Sequence, residues 1–322
     1  MDQADIVTVT LNPALDLATS ATDIKPGPKL RCTEPRADPG GGGINVSRVI
    51  RTLGGQSRML VALGGGTGER LRALIAAEGL TPEVLALSAE TRQSLSVTDR
   101  ISGLQYRFVL PGPDWSAADL AAAEAACLAL ATPGAWVVLS GSQPPGVPDD
   151  YPVQLAAALA ARGARLVVDT SGAPLAAVAR PGAAAVPALL RFDGEEAVEL
   201  AGRRLNGVAG AGEFAAHLVA AGVARLVIIA CGAEGSVLAT PEAVHFARAA
   251  KVPVVSKIGA GDSFVAAAVL ALARGQAPDI ALQHGTAAAS AAGMTPATRL
   301  CTAEDTARLL PECALRVLSR RK

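Results

Sequence analysis

The sequence AWVVLSGSQPPGVPDDYPVQLAAALAARGARLVVD (135–169) contains two short aliphatic runs separated by an alanine-rich segment. The runs Ala135–Ser140 and Arg165–Asp169 have the length and composition of buried strands, and Pro152–Arg162 between them has helical spacing. In a strand–helix–strand unit the two strands lie parallel in one sheet, and the helix covers one face of it. This segment therefore predicts a parallel α/β sheet.

The same alternation continues along most of the chain. Further strands are predicted at Ile6–Leu11, Ser57–Leu63, Ala183–Pro187 and Arg225–Ala230. Further helices are predicted at Ile44–Leu53, Gly68–Glu78, Ala117–Ala131, Glu213–Ala221 and Ser263–Arg274. Buried strands that alternate with helices are typical of a doubly wound, mostly parallel sheet with helices on both faces. We expect one such domain over residues 1–322.

Two segments, Leu15–Pro35 and Ser94–Leu110, break this alternation, because polar and apolar residues alternate there without an intervening helix. A turn at Ser102–Gly103 predicts a hairpin in the second segment. We expect the two segments, at about residues 14–36 and 91–112, to form a small β-sheet lid. Such a sheet either lies over the carboxyl ends of the parallel strands, where α/β sheets bind ligands, or mediates a subunit contact.

The composition excludes several classes of protein. The 322 residues include 29 Lys+Arg and 29 Asp+Glu, a formal net charge of zero, so we expect neither nucleic acid nor a membrane surface as partner. The five cysteines show no short paired spacing, which favours free thiols. The acidic start MDQAD and the absence of a long apolar run argue against a signal peptide or a membrane span. We expect a cytoplasmic protein.

The sharpest local motif is KIGAGDSF (257–264), in which glycines directly precede an aliphatic helix. Such glycines free backbone N–H groups at the positive end of the helix, so Gly259, Ala260 and Gly261 form a candidate anion hole. Asp262 could take a proton from a substrate hydroxyl while these amides stabilise a transferring phosphoryl group. The alternative is that Asp262 only caps the helix.

A second glycine cluster, PGGGGIN (39–45), also precedes a predicted helix. Its four glycines let a ligand approach the backbone closely, and Asn45 offers both a donor and an acceptor to a polyol. The alternative is a structural loop. Neither the dinucleotide-binding pattern G-x-G-x-x-G nor the lysine pattern of a P-loop fits here, which disfavours a nicotinamide dehydrogenase.

Together, the clusters GGGGIN (40–45) and GAGD (259–262) resemble the two signatures of the PfkB (ribokinase-type) carbohydrate kinase family. The order and spacing of the clusters, and the alternating architecture, agree with that family over essentially the whole chain. Further matching segments are TLNPALDLAT (10–19), KLRC (29–32), TRQ (91–93), QYRFVLPG (105–112), SGSQPPGV (140–147), VVDTSG (167–172) and TRLC (298–301). The resemblance implies a ribokinase-like fold with a lid, and an ATP-dependent sugar kinase.

The resemblance also implies roles for individual residues in the sugar site. Those expected to hold the sugar hydroxyls are Asp16, Gly41, Gly42 and Asn45, and those expected around the substrate phosphate are Lys29, Arg31, Arg92 and Ser142. The catalytic group would comprise Asp262 as the base, the anion hole at Gly259, Ala260 and Gly261, and Lys29. Arginine forks suit phosphate oxygens, so a local basic cluster agrees with a sugar-phosphate ligand.

Family members bind ATP with Mg²⁺ and also hold a monovalent cation, possible K⁺ ligands here being Ser256, Ile258, Ala292 and Arg299. The residues expected to contact the nucleotide are Arg191, Asp193, Ala230, Gly232, Gly235, Lys257, Gly259 and Gly261. The residues expected to hold Mg²⁺ are Asp193 and Glu196. In similar proteins the lid also forms the dimer contact, which implies a homodimer here.

Four departures from the family pattern bear on function, at Arg191, Asp193, Ala230 and Lys257. The usual Lys-Pro-Asn-x-x-Glu segment is RFDGEE (191–196) here, which keeps a positive charge at Arg191 and the glutamate at Glu196. Asp193 is a harder oxygen ligand than asparagine, so Mg²⁺ binding is chemically plausible but altered. Ala230 replaces a hydroxyl residue. Lys257 replaces a threonine, where it either strengthens phosphate binding or displaces the monovalent cation.

The leading expectation is phosphorylation of fructose 6-phosphate to fructose 1,6-bisphosphate. The near alternative is the same chemistry on fructose 1-phosphate or tagatose 6-phosphate. Similar proteins acting on those sugars usually carry a lysine in the glycine run, where this chain has Gly42. An alternative of a different class is a non-catalytic sensor of a sugar phosphate or nucleotide, which the four departures motivate.

Overall fold

A computed structural model describes residues 3–296 and 298–320, so residues 1–2, 297 and 321–322 of the expected domain lie outside the description. The strands are β1 (Ile6–Thr10), β2 (Ala14–Ala21), β3 (Arg36–Gly40), β4 (Arg58–Leu63), β5 (Pro82–Ala86), β6 (Arg92–Asp99), β7 (Gln105–Val109), β8 (Trp136–Ser140), β9 (Arg165–Asp169), β10 (Leu189–Asp193), β11 (Leu226–Ala230), β12 (Gly235–Ala239), β13 (Ala243–Arg248) and β14 (Leu315–Arg320). The helices are α1 (Gly42–Thr52), α2 (Gly65–Ala77), α3 (Ala117–Leu130), α4 (Tyr151–Ala160), α5 (Gly172–Val178), α6 (Gly194–Ala201), α7 (Gly207–Ala220), α8 (Ala260–Ala273), α9 (Pro278–Gly293) and α10 (Ala303–Leu309).

The main sheet has ten strands in the order β14-β13-β12-β11-β10-β9-β8-β1-β4-β5. Neighbouring strands are parallel in the part β11-β10-β9-β8-β1-β4-β5. The strands β12, β13 and β14 extend the sheet with antiparallel pairings. Val137 and Leu139 of β8 pack in a core cluster that includes side chains of α3, α4 and α7, while Trp136 and Val138 pack in another with α1, α8 and α9. Since successive side chains point to opposite faces, helices cover both faces. The predicted doubly wound, mostly parallel α/β fold is confirmed.

One strand prediction is wrong. Residues 183–187 form no strand, and the strand lies instead at Leu189–Asp193. Alanine has low strand propensity and Pro187 cannot donate to a ladder, so the earlier run is a poor strand despite its apolar composition. Leu189, Leu190 and Phe192 are almost completely buried, and β10 pairs in parallel with both β9 and β11. The polar residues of RFDG therefore sit at the carboxyl end of a central strand.

A separate four-stranded sheet, which we call the small sheet, has the order β3-β2-β6-β7. The predicted hairpin is present, since β6 and β7 pair antiparallel and Gly103 in the turn has a φ of 72°. The partner strand of β2 is β3 at Arg36–Gly40, which begins where the predicted first lid segment ends. In the segment that connects β2 to β3, the only described strand pairing is the isolated bridge of Cys32 with Ala21. The small sheet therefore joins two segments distant in sequence.

The small sheet has a polar face and an apolar face. Ser96, Thr98, Gln105 and Arg107 line a cleft of about 860 Å³, whose other wall includes residues 254–258 before α8. Leu95 pairs with Phe108 across the hairpin, and both side chains are exposed.

The five cysteines are free thiols, as predicted. Within the described ranges, no helix has the length and apolar character needed to cross a membrane.

Candidate active site

Helix α8 begins at a glycine-built turn that leads directly to Asp262. Gly259 is the N-cap residue, with a φ of 76°, and a Cβ there would lie 2.5 Å from Leu300 Cδ2. Asp262 lies in the first helical turn, but no side-chain cap is formed; its Oδ2 accepts a hydrogen bond of 2.8 Å from Asn45 Nδ2. The capping alternative for Asp262 is therefore not supported, and its carboxylate faces the glycine cluster of α1.

The environment of Asp262 raises the pKa of its carboxyl group to about 6. Burial is the largest cause, and the neighbouring carboxylate of Asp169 raises the pKa further. The hydrogen bond from Asn45 and the charge of Arg191 act in the opposite direction, and Asp16 adds a smaller upward shift. A carboxylate with a pKa close to the working pH is suited to take and return a proton.

The glycine cluster is packed too tightly to accept side chains. A Cβ on Gly42 would lie 2.2 Å from Ser140 Oγ and 2.8 Å from the backbone N of Gly141. A Cβ on Gly40 would lie 2.3 Å from Asp16 Oδ2. Real Cβ atoms do not approach backbone atoms so closely, so this backbone requires glycine at position 42, whereas a side chain at position 40 would displace the carboxylate of Asp16. The cluster thereby brings the first turn of α1 against the strand ends that carry Asp16 and Ser140.

Asp16 of β2 is a second carboxyl group with a pKa of about 6. Burial raises it most, while the charges of Arg92, Arg107 and Arg48 lower it. Because the charge of Asp16 raises the pKa of Asp262, the two carboxyl groups belong to one cleft. The structure therefore brings together Asp16 and Asp262, which are predicted to hold and activate a sugar.

Arg92 and Ser142 meet at Asn12, in the loop after β1. Arg92 donates from Nη2 and Nε to the carbonyl oxygen of Asn12, at 3.0 and 3.2 Å, and from Nη1 to that of Leu110 at 3.2 Å. Ser142 Oγ accepts a hydrogen bond of 3.1 Å from Asn12 Nδ2. Burial lowers the pKa of Arg92, and the carboxylate of Asp16 raises it. Arg92 is therefore half-buried near the carboxylate of Asp16.

The other two residues predicted around the phosphate, Lys29 and Arg31, lie elsewhere. Both are exposed on the segment between β2 and β3. Neither makes a hydrogen bond or an ion pair with any described residue. The single chain therefore assembles Arg92 and Ser142, but not Lys29 and Arg31, into one cluster.

Arg191 lies directly against the anion hole. A Cβ on Gly261 would be 2.9 Å from Arg191 Nη1, and the same Nη1 donates to Asp169 Oδ1 at 3.1 Å. Asp169 Oδ2 accepts a hydrogen bond of 3.0 Å from Ser140 Oγ. The side chains of Arg191 and Asp169 are only 15% and 10% exposed, and Arg191 Nε is buried without a partner among the described residues. The arrangement places a fixed positive charge beside the glycine amides.

Asp193 and Glu196 form a capping box at the start of α6. Asp193 Oδ1 accepts from the backbone N–H groups of Glu195 and Glu196 at 2.9 and 3.0 Å, and Glu196 Oε2 accepts from the N–H of Asp193 at 2.8 Å. Each carboxylate keeps one oxygen with no hydrogen-bond partner in the described chain. Mg²⁺ in kinases is held by one or two carboxylates together with substrate phosphates and water, so this pair fits the ion.

The described residues include no group of three or more His, Cys, Asp or Glu side chains that could hold a metal ion by themselves. This is the expected situation for an ion that arrives with the nucleotide phosphates. Burial raises the pKa of Glu196, while the N–H of Asp193 lowers it.

Ala230 ends β11 directly beside Asp193 of β10. Beyond it, Gly232 has a φ of 60° and open space at the Cβ position. Gly235 is required by the chain itself, because a Cβ there would lie 2.0 Å from the carbonyl oxygen of Ala247. Lys257 is exposed on the loop before α8 and lines the 860 Å³ cleft. These residues share the edge of the sheet that carries Arg191.

The residues predicted to hold a monovalent cation come together on two loops. The hydroxyl of Thr295 lies 2.8 Å from the carbonyl oxygen of Ala292 and 2.7 Å from that of Arg299. On the other loop, Ser256 Oγ accepts from the N–H of Ile258 at 3.1 Å, and the N–H of Ser256 donates to Gly293. A hydroxyl can donate only one proton at a time, so one of these two carbonyl oxygens receives no proton from the Thr295 hydroxyl.

Sequence reasoning missed three charged residues of this site. Asp169 ends a buried parallel strand, a position that by itself indicates a ligand-facing residue. Arg107 lies on the polar face of the β6–β7 hairpin, where alternation could have indicated it. Arg48 lies one turn after Asn45 on α1 and donates from Nη1 to Asn45 Oδ1 at 3.1 Å. The spacing of three residues on one helix could have indicated that contact.

The fold and this edge of the sheet define a class of protein. The carboxylate of Asp262, with its raised pKa, and the guanidinium of Arg191 lie at the glycine amides of a helix N-terminus. These are the groups that a phosphotransferase uses. The model of the pfkB family carbohydrate kinases matches residues 8–305, and the chain belongs to this family. It is a kinase, so the alternative of a non-catalytic sensor is not supported.

Known proteins resemble the chain over nearly its full length. The ATP-dependent 6-phosphofructokinase isozyme 2 of Mycobacterium tuberculosis (strain H37Rv) is 38% identical over 303 residues, 94% of this chain and 88% of that protein. The 1-phosphofructokinase of Xanthomonas campestris is 33% identical over 308 residues, 95% of this chain and 94% of that protein. The structure of phosphofructokinase-2 from Escherichia coli with substrates and products has a TM-score of 0.90 at 36% identity, covering 96% of this chain and 99% of that one. The E. coli protein was also solved with fructose-6-phosphate and with potassium.

Proposed function

We propose that the protein transfers the γ-phosphoryl group of ATP to the O1 hydroxyl of fructose 6-phosphate, giving fructose 1,6-bisphosphate and ADP. The observation that carries this proposal is the position of Asp262. Its carboxylate lies at the N-terminus of α8, bonded to Asn45, in a cleft that Asp16 and Arg92 share. A hydroxyl held by Asn45 and Asp16 therefore lies beside a base and an anion hole together.

Three features support fructose 6-phosphate as the acceptor. Arg92 and Arg107 of the small sheet both lower the pKa of Asp16, so two guanidinium groups lie near the proposed sugar site. Gly42 cannot be replaced without a collision with Ser140, so this backbone excludes the lysine usual in kinases of fructose 1-phosphate or tagatose 6-phosphate. Similar proteins at 38% identity carry the 6-phosphofructokinase name, against 33% for a 1-phosphofructokinase.

The chemistry follows from these positions. As the O1 oxygen attacks the γ-phosphorus, its proton passes to Asp262, and the bond to the β-phosphate oxygen breaks to release ADP. The amides of Gly259–Gly261 and the guanidinium of Arg191 stabilise the charge on the transferring phosphoryl oxygens. Asp193 and Glu196 would hold Mg²⁺, which neutralises phosphate charge when bound. We also propose K⁺ at the Ala292 and Arg299 carbonyl groups, in line with the potassium-bound E. coli structure.

A substrate panel tests the proposed function. ADP release would be measured by a coupled assay with fructose 6-phosphate, fructose 1-phosphate, tagatose 6-phosphate and unphosphorylated fructose. We expect the highest kcat/KM with fructose 6-phosphate and the lowest with fructose, because only the phosphorylated sugars engage the arginines. A preference for fructose 1-phosphate would favour the near alternative. No ADP release with any of these sugars would contradict the proposal.

The pH dependence of kcat should show an acid limb near pH 6. Asp262 must be ionised to accept a proton, so the rate falls as the pH drops through its pKa of about 6. Asp169→Asn is expected to move this limb to lower pH, because it removes a carboxylate that raises the pKa of Asp262. The measurement is kcat between pH 5 and pH 8 at saturating substrates, where pKa values of the bound enzyme are reported. A flat wild-type profile would oppose the assignment.

Replacing Arg92 with alanine is expected to raise the KM for fructose 6-phosphate by about 10- to 100-fold, the usual worth of hydrogen bonds to a charged group. The KM for ATP should change little, because Arg92 lies on the sugar side of the cleft. Steady-state kinetics with each substrate varied will show the difference. Arg100→Ala is the matched control, since Arg100 is exposed on the same hairpin and bonds only Thr22. Equal increases in both KM values would exclude a role in phosphate binding.

We also propose that the small sheet is the lid of the site and that a second copy of the chain covers its apolar face. Leu95, Tyr106 and Phe108 are exposed on this face. The turn and the end of the hairpin expose four more large apolar side chains, so that the accessible fractions run from 36% to 72%: Ile101, Leu104, Val109 and Leu110. An apolar surface of this extent is unusual for a monomer. Lys29 and Arg31 reach the substrate phosphate only if their exposed segment closes over the cleft or packs against the second copy.

Phe108→Glu is expected to convert a dimer into a monomer, because it places a charge at the centre of the apolar face. Light scattering after gel filtration gives the mass of both proteins directly. Val84→Glu on β5 of the main sheet is the matched control, since Val84 is similarly exposed but lies outside the small sheet. An unchanged dimer with Phe108→Glu would place the subunit contact elsewhere.

A further inference from the structure

A chain of hydrogen bonds connects the end of α2 to Asp262. Glu78, just beyond the last residue of α2, accepts from Arg48 Nε and Nη2 at 2.6 and 2.7 Å through its two carboxylate oxygens. Arg48 Nη1 donates to Asn45 Oδ1 at 3.1 Å. Asn45 Nδ2 in turn donates to Asp262 Oδ2 at 2.8 Å. The chain therefore joins three elements of the fold and ends on the proposed base.

The central link fixes the direction of an amide. An asparagine side chain presents an acceptor at one end and a donor at the other, and its two orientations have nearly the same shape. Because Arg48 can only donate, it requires Oδ1 of Asn45 on its own side, which leaves Nδ2 facing the carboxylate of Asp262. The reversed amide would put its oxygen against Asp262 and would remove a donor from the carboxylate.

Arg48 is itself held in place by Glu78. The bidentate pair uses two of the three nitrogens of the guanidinium, and the Arg48 side chain is only 13% exposed. A further, longer contact of 3.4 Å joins Nη1 to the carbonyl oxygen of Pro39. Asn45 stands between Arg48 and Asp262, so Arg48 acts on Asp262 through that amide, while the charge of Arg48 also lowers the pKa of Asp16.

We propose that Arg48, clamped by Glu78, is a positioning residue that orients the amide of Asn45 and thereby keeps Asp262 ionised and aimed at the sugar hydroxyl. This inference rests on the proposed function, in which Asp262 is the base. The other charged groups that act on Asp262 are Asp169, Arg191 and Asp16, on β9, β10 and β2. These groups remain in place when Arg48 is changed, but Asp16 loses the charge of Arg48. The Glu78→Gln variant described below keeps that charge and so isolates the amide link.

The test is the pH profile of kcat in Arg48→Met, which keeps the bulk of the side chain but has no donor. We expect the acid limb to move to higher pH, because Asp262 loses the bond that favours its charged form. The rate relative to wild type should be about fivefold lower at pH 6 and should recover towards pH 8, because a rise of one pKa unit from about 6 lowers the ionised fraction at pH 6 from about one half to about one tenth. A reduction by the same factor at every pH would overturn the proposal and leave Arg48 a structural role.

Arg51→Met is the matched control. Arg51 lies on the same helix and also bridges to the end of α2, donating to the carbonyl oxygen of Gly79 at 2.6 Å, but it has no bond to Asn45. We expect a wild-type pH profile for this variant. A shifted limb in Arg51→Met would overturn the proposal, because it would show that the packing of α1 on α2, and not the amide link, sets the profile.

Glu78→Gln provides a second variant in case Arg48→Met does not fold. It weakens the hold on Arg48 while Arg48 stays present, so we expect the acid limb to shift in the same direction by a smaller amount. An unshifted acid limb in both variants would overturn the inference.

The wild-type protein separates this result from the proposed function. Wild-type kinase activity with an acid limb that both variants leave unchanged would contradict only the role of Arg48. Absent wild-type activity would contradict the proposed function itself.

Discussion

Replacing Asp262 with asparagine is expected to lower kcat by about 10²–10⁴-fold, the usual worth of a positioned general base. The amide has the same shape and can still accept the hydrogen bond from Asn45, but it cannot take the proton of the sugar hydroxyl. Binding of both substrates should therefore be largely retained. Steady-state kinetics will give kcat, and ligand-induced shifts in thermal unfolding will report binding of each substrate.

The matched control is Asp279→Asn. Asp279 lies in the first turn of α9, so the substitution makes the same change of charge at a helix N-terminus outside the glycine-built site. Wild-type turnover is expected for this control, because any general effect of charge on the helices is common to both variants. Wild-type turnover in Asp262→Asn as well would remove the general-base role and require another proton acceptor in the cleft.

Much of the fold could be predicted because the parallel strands are short, fully buried aliphatic runs. The strand at Arg165–Asp169 has the predicted bounds, and α3 ends one residue before the predicted Ala131. The β10 strand was misplaced because its central position is marked by burial rather than by composition. The antiparallel edge, including β12 at Gly235–Ala239, was not predicted, since nothing in its local sequence distinguishes a short edge strand from a loop.

The site residues also fall into two groups. A local motif identifies some of them, and only contacts between distant parts of the chain bring the others together. Gly259 and Asp262 are only three positions apart in sequence, and their chemistry follows from a helix N-terminus alone. Asn45 meets Asp262 across 217 positions of sequence, and only the family resemblance indicated that contact. The pairing of Arg191 with Asp169 depends on β9 and β10 being neighbours in the sheet, and the order of strands in the sheet cannot be derived from the sequence. Exposure likewise could not be inferred, so Lys29 stood in the same predicted cluster as Arg92.

Replacing Arg191 with methionine is expected to reduce both stability and turnover. The ion pair with Asp169 is 15% and 10% exposed, and removal of one partner from a buried pair typically costs about 3–5 kcal/mol, because the other charge remains buried. The same substitution removes the guanidinium beside Gly261, and loss of one group that stabilises transition-state charge typically lowers kcat by about 10²–10³-fold. Chemical denaturation and steady-state kinetics measure the two effects separately.

The double variant Arg191→Met, Asp169→Asn separates these two effects. It removes both charges, so most of the lost stability should return, since no unpaired carboxylate is left in the interior. Ser140 can still donate to the Oδ atom of the new asparagine. The kcat should remain low, because stability does not restore the positive charge at the anion hole. Recovery of kcat together with stability would show that Arg191 serves only to neutralise Asp169.

Arg191→Lys completes the series, because the family pattern usually places lysine at this position. A lysine keeps the charge but presents a point donor in place of a fork, so it can serve Asp169 or a phosphoryl oxygen and not both at once. We expect turnover between those of wild type and Arg191→Met, and a KM for ATP that changes more than that for the sugar phosphate. Turnover as low as that of Arg191→Met would mean that this site has become dependent on the arginine fork, with Asp169 and the γ-phosphoryl group held by different nitrogens of one guanidinium.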